Sequence, residues 1–494
     1  MTESWANQHL SGEPISGADL HLELHGLAPG PGPRAGLRAG LMDALREAVR
    51  TGRLVPGTRL PSSRSLAADL GIARNTVADA YAELVAEGWL TAQRGSGTRV
   101  AARAEPRRPA PAPPRTRTTR RRPTYSLLPG SPDLAGFPRA QWLAAARRAL
   151  MTAPYEAFEL GEARGRVELR TALADYLARA RGVYADPGRI VICSGAVHGL
   201  MLLGTVLRAR GVRALAVESY GLDMHRNLLV RAGLRTPALP VDGHGARTGE
   251  LADDPEVGAV LMTPAHQFPT GMALHPDRRA AAVDWARATD GLILEDDYDG
   301  EFRFDRQPVG ALQGLDPERV VYLGTASKSL APGLRLAWMV LPDELVGEVT
   351  AAKGAVDWVS STLDQLTLAE FIASGAYDRH VRSMRLRYRR RRDQLVSALA
   401  ERAPDVRVTG IAAGLHAVVE LPPGTERPVV EAAAWQGLAV EGMTRFRHPS
   451  AGPSPAGSGG TAAPGASDAL VVGYATPPDS AWAGALDALC RVLP

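Results

Sequence analysis

Cysteines are scarce in this sequence, and long apolar runs are absent. Its 494 residues include two cysteines, Cys193 and Cys490, which are too few for a disulfide framework. This cysteine usage favours a reducing compartment. No apolar stretch reaches the length of a membrane span, and the first residues lack a basic region followed by an apolar one. We therefore predict a cytoplasmic protein with no membrane partner.

Neither sign of charge dominates, because 57 basic residues are balanced by 53 acidic ones for a net charge of +4. The basic residues are unevenly placed, since arginines crowd residues 103–122 and 379–392. Uneven basicity of this kind is compatible with a nucleic acid partner. For residues 377–392 a solvated helix face is the open alternative.

Length and composition predict two domains joined by a linker. A chain of 494 residues exceeds the size at which a single core keeps growing. Residues 102–124 are mostly Pro, Ala and Arg, which is typical of an extended linker. We therefore predict a small domain at residues 34–101 and a large domain at residues 125–494. The Gly/Ser/Pro-rich run at residues 449–467 is predicted to be a disordered loop.

The small domain has the pattern of a winged helix-turn-helix. Apolar residues recur at helical spacing over residues 37–49, and Gly71 separates two further helices. The last helix opens with Arg74, Asn75 and Thr76, whose side chains can bond base edges or phosphates in the major groove. Two short strands around a Gly-rich tip follow and predict a wing. Double-stranded DNA is therefore the predicted partner.

This order of motifs resembles the winged helix of the GntR family of bacterial regulators. The shared motifs are Leu60-Pro61-Ser62-x-Arg64, Leu70-Gly71, Arg74-x-Thr76-Val77 and Gly95-x-Gly97-Thr98. The resemblance implies that Arg64, Arg74 and Thr76 contact DNA. It also implies that Gly97 shapes the wing.

In the large domain, apolar runs alternate with amphipathic helices, which is typical of an α/β fold with a mostly parallel sheet. Three predicted strands end in polar segments at the carboxyl edge, where ligands of such folds bind. Residues 292–294 lead to an acidic cluster with Tyr298, and residues 320–323 lead to a Ser/Thr loop with Lys328. Residues 189–193 lead to a Gly-rich helix start, which suits an anion.

Lys328 stands in a loop with hydroxyl side chains and a trailing arginine. A desolvated lysine amine is a nucleophile that forms a Schiff base with an aldehyde, and hydroxyls with an arginine suit a phosphate. Pyridoxal 5'-phosphate (PLP) carries both groups, and a carboxylate would keep its pyridine nitrogen protonated. These residues therefore predict PLP as the cofactor. A solvated loop position is the open alternative for Lys328.

The large domain resembles the fold-type I aminotransferases, and the whole chain resembles the MocR/GabR subfamily of GntR regulators. The runs that carry the resemblance are His266-Gln267-Phe268-Pro269-Thr270-Gly271, Glu295-Asp296-Asp297-Tyr298-Asp299-x-Glu301-Phe302 and Ser327-Lys328-x-Leu330-x-Pro332-Gly333-Leu334-Arg335. By this resemblance Lys328 forms the Schiff base and Arg335 binds the phosphate. Asp296 pairs with the pyridine nitrogen and Tyr298 with the ring oxygen. The remaining phosphate candidates are Ser194, Gly195, Ala196, Thr325 and Ser327.

The resemblance also implies an amino compound as a possible effector. Its carboxylate would bind Arg445, with Arg447 as the alternative and Arg226 as a second, weaker candidate. For the pyridine nitrogen, Asp297 is the alternative to Asp296.

Three functions stay open. The leading hypothesis is a homodimeric, PLP-dependent transcriptional regulator that senses an amino compound through an aldimine at Lys328. A second hypothesis makes PLP itself the effector, and a third is a working aminotransferase. Phe268 stands where many aminotransferases have an Asn that touches the ring oxygen, and this departure argues against efficient transamination.

Overall fold

The computed structural model describes residues 35–93, 97–102, 123–304, 310–357, 359–451 and 468–494. The chain divides into two compact units, Met1–Thr119 and Arg120–Pro494. The predicted linker at residues 102–124 and the predicted loop at residues 449–467 lie largely outside the described residues, so both stay predictions. Within the described ranges, no helix is long and apolar enough to cross a bilayer.

The small unit is a winged helix-turn-helix. Its elements are α1 (Ala35–Arg50), α2 (Ser63–Leu70), α3 (Arg74–Ala86), β1 (Leu90–Gln93) and β2 (Gly97–Val100). Ser62 caps α2 by accepting a hydrogen bond from the Ser65 backbone N–H at 3.1 Å. Gly71 ends α2 with φ +66°, a left-handed conformation that favours glycine. Strands β1 and β2 pair antiparallel as the wing, and one core joins all five elements through Leu41, Leu66, Leu84, Leu90 and Val100.

The large unit is an α/β structure with a mostly parallel main sheet. Its helices are α4 (Arg139–Thr152), α5 (Val167–Arg181), α6 (Ala196–Ala209), α7 (Asp223–Arg231), α8 (Pro276–Thr289), α9 (Asp343–Val356), α10 (Thr362–Ala373), α11 (Ala376–Arg402), α12 (Glu426–Trp435) and α13 (Asp479–Val492). Its strands are β3 (Tyr125–Ser126), β4 (Ile190–Cys193), β5 (Ala214–Glu218), β6 (Ala238–Leu239), β7 (Val241–Asp242), β8 (Gly245–Ala246), β9 (Val257–Met262), β10 (Leu292–Asp296), β11 (Val320–Thr325), β12 (Ala337–Val340), β13 (Arg407–Thr409), β14 (Ala417–Glu420), β15 (Leu438–Ala439), β16 (Glu441–Gly442) and β17 (Ala469–Val472).

The main sheet has the strand order β4, β12, β11, β10, β9, β5, β6, in which β12 runs antiparallel to both neighbours and the other pairs are parallel. Ile190 and Ile192 of β4 pack with α5 and α10 in one core cluster. Val191 and Cys193 pack with α6 and α9 in another. Helices therefore cover both faces, which explains why these strands are continuous apolar runs. A second, antiparallel sheet has the order β13, β14, β17, β16.

Two central strands extend two residues beyond their predicted ends. Strand β10 reaches Asp296, which still pairs with Leu323, and β11 reaches Thr325, which still pairs with Ala337. The prediction stopped early because it followed only the apolar run. Strand β4 begins at Ile190, one residue later than predicted, because Arg189 belongs to the preceding 3-10 turn. Asp296 and Thr325 thus sit on strand ends and not in loops.

Candidate cofactor and effector site

A cavity of about 490 Å³ opens in the large unit, at the carboxyl edge of the main sheet. Its lining includes Glu218 of β5, Met262 of β9, Asp296 of β10 and Thr325 of β11. Because β9, β10 and β11 are parallel neighbours, their carboxyl ends meet at one edge. Ligands of open α/β sheets bind at such an edge.

Lys328 lies half-buried in this cavity, and its Nζ donates a hydrogen bond to the Gly130 carbonyl oxygen at 2.5 Å. Burial lowers the pKa of the amine, while the carboxylates of Asp296 and Asp299 oppose that effect. The position therefore differs from the solvated loop that the sequence left open. A lowered pKa increases the fraction of nucleophilic free amine near neutral pH.

The two adjacent aspartates at the end of β10 have different surroundings. Asp296 lines the cavity, and its carboxylate makes no hydrogen bond within the described part of the chain. Burial raises the pKa of Asp296 to about 7, although Lys328 opposes that shift. Asp297 instead accepts hydrogen bonds from Arg181 Nε at 2.6 Å and from the Tyr322 hydroxyl at 2.8 Å. Of the two, Asp296 is the one available to a ligand.

Tyr298 lines the same cavity beside Phe268, whose ring packs edge-on against it with centroids 6.0 Å apart. Phe268 thus offers an apolar contact where aminotransferases use an amide. The Tyr298 hydroxyl lies 3.1 Å from His266 Nδ1, which in turn lies 2.8 Å from Asp299 Oδ2. His266 and Asp299 have no role predicted from the sequence, although both stand in the motifs of residues 266–271 and 295–302. Their contact joins two loops 33 residues apart, and motif spacing carries no signal of it.

The residues predicted to bind the phosphate lie at the start of α6, at the end of β11 and in the segment that follows β11. Those that line the cavity are Ala196, Thr325, Ser327 and Arg335. Arg335 has a φ of +53°, and its guanidinium donates to the Ser194 carbonyl oxygen. Gly195 beside it has a φ of +91°, a left-handed conformation that favours glycine, and the Arg335 guanidinium lies against this residue. The Ser194 hydroxyl does not line the cavity. It donates a hydrogen bond to the Asp357 carboxylate at 2.9 Å, and a charged acceptor of this kind makes a strong hydrogen bond.

Two of the three predicted effector arginines line the cavity. Arg445 forms an ion pair with Asp223 at 3.0 Å, and its hydrogen bond lowers the pKa of the Asp223 carboxyl. Arg226 is half-buried, burial lowers its pKa, and its Nη1 has no hydrogen-bond partner among the residues that the structure describes. Arg447 is not part of the lining, and its guanidinium donates to the Ala451 carbonyl oxygen at 2.9 Å. Arg226 therefore lies in the cavity lining with one buried guanidinium nitrogen that makes no hydrogen bond to a described residue.

In the small unit, the predicted DNA-contacting residues lie at the surface. Arg74 and Asn75 are exposed in the first turn of α3, and Thr76 is half-buried beside them. Arg64 is exposed on α2, and Gly97 begins β2 with φ +85°. In a helix-turn-helix, the start of the second helix is the part that reaches base edges in the major groove.

Two protein families match separate parts of the chain. Residues 37–100 match the bacterial regulatory proteins of the gntR family, and residues 130–455 match aminotransferase class I and II. The chain is 35% identical over 401 residues to the HTH-type pyridoxine biosynthesis transcriptional regulator PdxR of Corynebacterium glutamicum, over 81% of this chain and 86% of that protein. It is 32% identical over 421 residues to the probable rhizopine catabolism regulatory protein MocR of Rhizobium meliloti, over 80% of this chain and 84% of that one.

Among solved structures, an archaeal alanine:glyoxylate aminotransferase matches with a TM-score of 0.66 and 25% identity, over 75% of this chain and 90% of that one. The fold of the large unit is therefore that of the fold-type I aminotransferases. The two relatives described above, which align over most of this chain, are named as regulators, and this does not favour the aminotransferase alternative.

Proposed function

Because the chain belongs to the MocR/GabR-type regulators of the GntR family, we propose that its cavity binds PLP and senses an amino compound or PLP itself. The chain is a helix-turn-helix transcriptional regulator with an aminotransferase-like domain. A class I and II aminotransferase fold implies PLP binding. The proposal adds where the cofactor and the effector bind, and which residues hold them.

The cavity residues fit PLP group by group. The observation that carries the proposal is that the carboxylate of Asp296, which has no hydrogen-bond partner among the described residues, and the amine of Lys328 share one cavity. Asp296 suits a protonated pyridine nitrogen, and Tyr298 is placed beside it to donate to the ring oxygen. Backbone N–H groups at the start of α6 and the Arg335 guanidinium suit the phosphate. When bound, PLP supplies an aldehyde that joins the Lys328 amine as a Schiff base.

The effector carboxylate is assigned to Arg445 and Arg226 in this proposal. Arg226 contributes the N–H that has no partner in the described ranges, and Arg445 adds a second guanidinium in the same lining. An effector changes DNA affinity only as far as it binds one conformational state more tightly than another. Because PdxR is named for pyridoxine biosynthesis, PLP itself is the second candidate effector.

The regulator is proposed to act as a homodimer, with a DNA-binding domain at residues 34–101, a linker at 102–124 and an effector domain at 125–494. Large apolar side chains that are exposed close together in the sequence support a second copy: Leu143, Leu150, Met151, Tyr155, Phe158 and Leu160. Exposed apolar side chains lose their unfavourable contact with water when a second copy covers them. Paired winged helices read repeated half-sites. Sedimentation of the purified protein tests this, and a monomer would refute it.

The cofactor assignment has a direct covalent test, because the sequence contains two lysines, Lys328 and Lys353. Borohydride reduction of the PLP-loaded protein, followed by peptide mapping, is expected to label Lys328. Lys353 donates to the Asp357 carbonyl oxygen at 3.0 Å and is expected to stay unlabelled. Lys328→Ala is expected to abolish the visible absorption of bound PLP, while Lys353→Arg retains it. Label on Lys353, or a colourless wild-type protein after PLP addition, would refute the proposal.

A further inference from the structure

Behind Tyr298, two side chains that the proposed function leaves unused form a buried pair. His266 Nδ1 lies 2.8 Å from Asp299 Oδ2, and each side chain is 2% exposed. The Tyr298 hydroxyl lies 3.1 Å from the same His266 nitrogen and within hydrogen-bonding reach of the Asp299 carboxylate. A Cβ at Gly414 would collide with both His266 and Asp299, so the pair is closely packed.

The contacts of His266 indicate which ring nitrogen carries its proton. Its Nε2 is buried and has no partner in the part of the chain that the structure describes. With the proton on Nε2, a buried donor would be unpaired, and Nδ1 would face the Asp299 carboxylate with no proton between them. With the proton on Nδ1, the imidazole donates to Asp299 and leaves only an unpaired acceptor, which costs less. His266 therefore donates to Asp299.

Tyr298 remains a hydrogen-bond donor in this environment. The other titratable groups around it and the pair are Glu218, Asp296, Lys328, His416 and Tyr474. His416 Nε2 donates to the Pro269 carbonyl oxygen at 3.1 Å, and burial lowers the pKa of His416 to about 3, so this imidazole is neutral. Burial, together with the charges of Asp299 and Asp296, raises the pKa of Tyr298 well above its ordinary value. The phenol therefore keeps its proton.

We propose that His266 and Asp299 are positioning residues that keep the Tyr298 hydroxyl donating to the ring oxygen of bound PLP. This rests on the proposed function, because it needs the cofactor in the cavity. While His266 donates to Asp299, part of the negative charge of the carboxylate is satisfied, so Asp299 competes less strongly with the ring oxygen for the hydrogen bond of the phenol. Without the imidazole, Asp299 is a buried charged acceptor beside the phenol and accepts its hydrogen bond in place of the ring oxygen. Phe268 cannot replace the lost donor, since its side chain is apolar.

The test follows the visible absorption of the PLP-loaded protein as a function of pH. A hydrogen bond donated to the ring oxygen stabilises its anionic form and lowers the pH at which the spectrum changes. His266→Leu is expected to raise that midpoint by about one pH unit, the size expected for losing one hydrogen bond to a charged acceptor. His266→Asn is the matched control, because its amide can donate to Asp299 in place of Nδ1, and its midpoint is expected to stay near wild type. An unchanged midpoint in His266→Leu overturns the proposal.

A double-mutant cycle separates this role from a general effect on packing. Tyr298→Phe is expected to raise the midpoint by a similar amount, because it removes the same hydrogen bond. Adding His266→Leu to Tyr298→Phe is then expected to change nothing further. Additive shifts of the two substitutions would contradict an action of His266 through Tyr298.

Failure of this proposal is distinct from failure of the proposed function. A wild-type protein that stays colourless with PLP refutes both, whereas yellow variants with unchanged midpoints refute only the role of His266. If His266→Leu does not fold, nitrogen-15 NMR of wild-type protein with labelled histidine shows which ring nitrogen of His266 carries the proton. A proton on Nε2 overturns the proposal. His266, Asp299 and His416 offer possible ligand atoms within 4.8 Å of one another, so a stoichiometric metal ion that is present in the wild type and absent from His266→Asn would overturn the proposal too.

Discussion

Two arginines at helix ends, one in each unit, show how burial decides what a charged side chain does. Arg74 is the first residue of α3 in the small unit, where it is exposed and makes no hydrogen bond through its side chain to another described residue. Arg181 is the last residue of α5 in the large unit, and it donates to both Asp297 oxygens at 2.6 and 3.0 Å with 5% of its side chain exposed. The same side chain is available to a ligand in one unit and committed to the structure in the other.

The difference follows from the cost of removing a charge from water. A guanidinium buried without a partner is strongly destabilising, so burial of Arg181 requires the bidentate carboxylate of Asp297. An exposed arginine keeps its hydration and can exchange it for phosphate oxygens when DNA binds. Substitutions are therefore expected to affect stability at Arg181 and DNA affinity at Arg74.

Arg181→Leu carries the largest expected effect, a loss of about 3–5 kcal/mol in the free energy of unfolding. It leaves the buried Asp297 carboxylate without its cationic partner, and the Tyr322 hydroxyl does not neutralise the charge. Urea denaturation followed by circular dichroism measures the loss. Arg179→Leu, on the same helix, is the matched control. Arg179 pairs with Asp378 at 3.0 Å, but 61% of its side chain is exposed, so its loss is expected to cost less than about 1 kcal/mol. Equal losses in the free energy of unfolding for Arg181→Leu and Arg179→Leu would contradict the idea that burial decides the contribution of an arginine to stability.

Arg74→Ala is expected to weaken promoter binding by about 1–3 kcal/mol and to leave the free energy of unfolding within about 0.5 kcal/mol of wild type. Arg53→Ala removes the same charge from an exposed position outside α2 and α3, and it is expected to cost less affinity. Fluorescence anisotropy at several salt concentrations measures both variants, and wild-type affinity is expected to fall steeply with salt. Unchanged affinity in Arg74→Ala would refute the assignment of α3 as the recognition helix.

The same contrast explains what the sequence can predict. In the small unit each feature is local, because the cap at Ser62, the turn at Gly71 and the helix start at Arg74 follow one another in the chain. Each of these residues is exposed and acts on its own stretch of the chain, so residue type and spacing are enough to predict it. The cavity of the large unit is predictable only as a set of polar residues at strand ends, such as Asp296, or in the loops that follow them, such as Lys328.

What the sequence does not reveal is which neighbour each polar group meets. Asp296 and Asp297 are adjacent, and the one that is committed to the structure is decided by Arg181, 116 residues away in the chain. The pairing of His266 with Asp299 likewise arises from the approach of two loops. Burial then alters the chemistry of each group through partners that no local motif specifies.

Asp296 extends the comparison to a half-buried carboxylate in the cavity that lacks a hydrogen-bond partner in the described chain. Burial raises its pKa in the folded, cofactor-free protein from the ordinary 3.8 to about 7. Between these pH values the folded protein holds a proton that the unfolded chain has released. The free energy of unfolding therefore falls as pH rises through this window and levels off above it. Asp296→Asn is expected to reduce that fall by about 1–2 kcal/mol, less than the full shift because Lys328 and water in the cavity screen the charge.

Urea denaturation of the cofactor-free protein between about pH 4 and pH 8 measures how far the free energy of unfolding falls while Asp296 releases its proton. Burial also raises the pKa of Glu218 to about 7, so part of the fall persists in the variant, and the difference from wild type isolates Asp296. Asp284→Asn is the matched control, because that side chain is 75% exposed on α8, and its pH dependence is expected to equal that of wild type. If Asp296→Asn also matched wild type, the cavity carboxylate would be hydrated like an exposed one, and the contrast between buried and exposed charges would not reach the cofactor site.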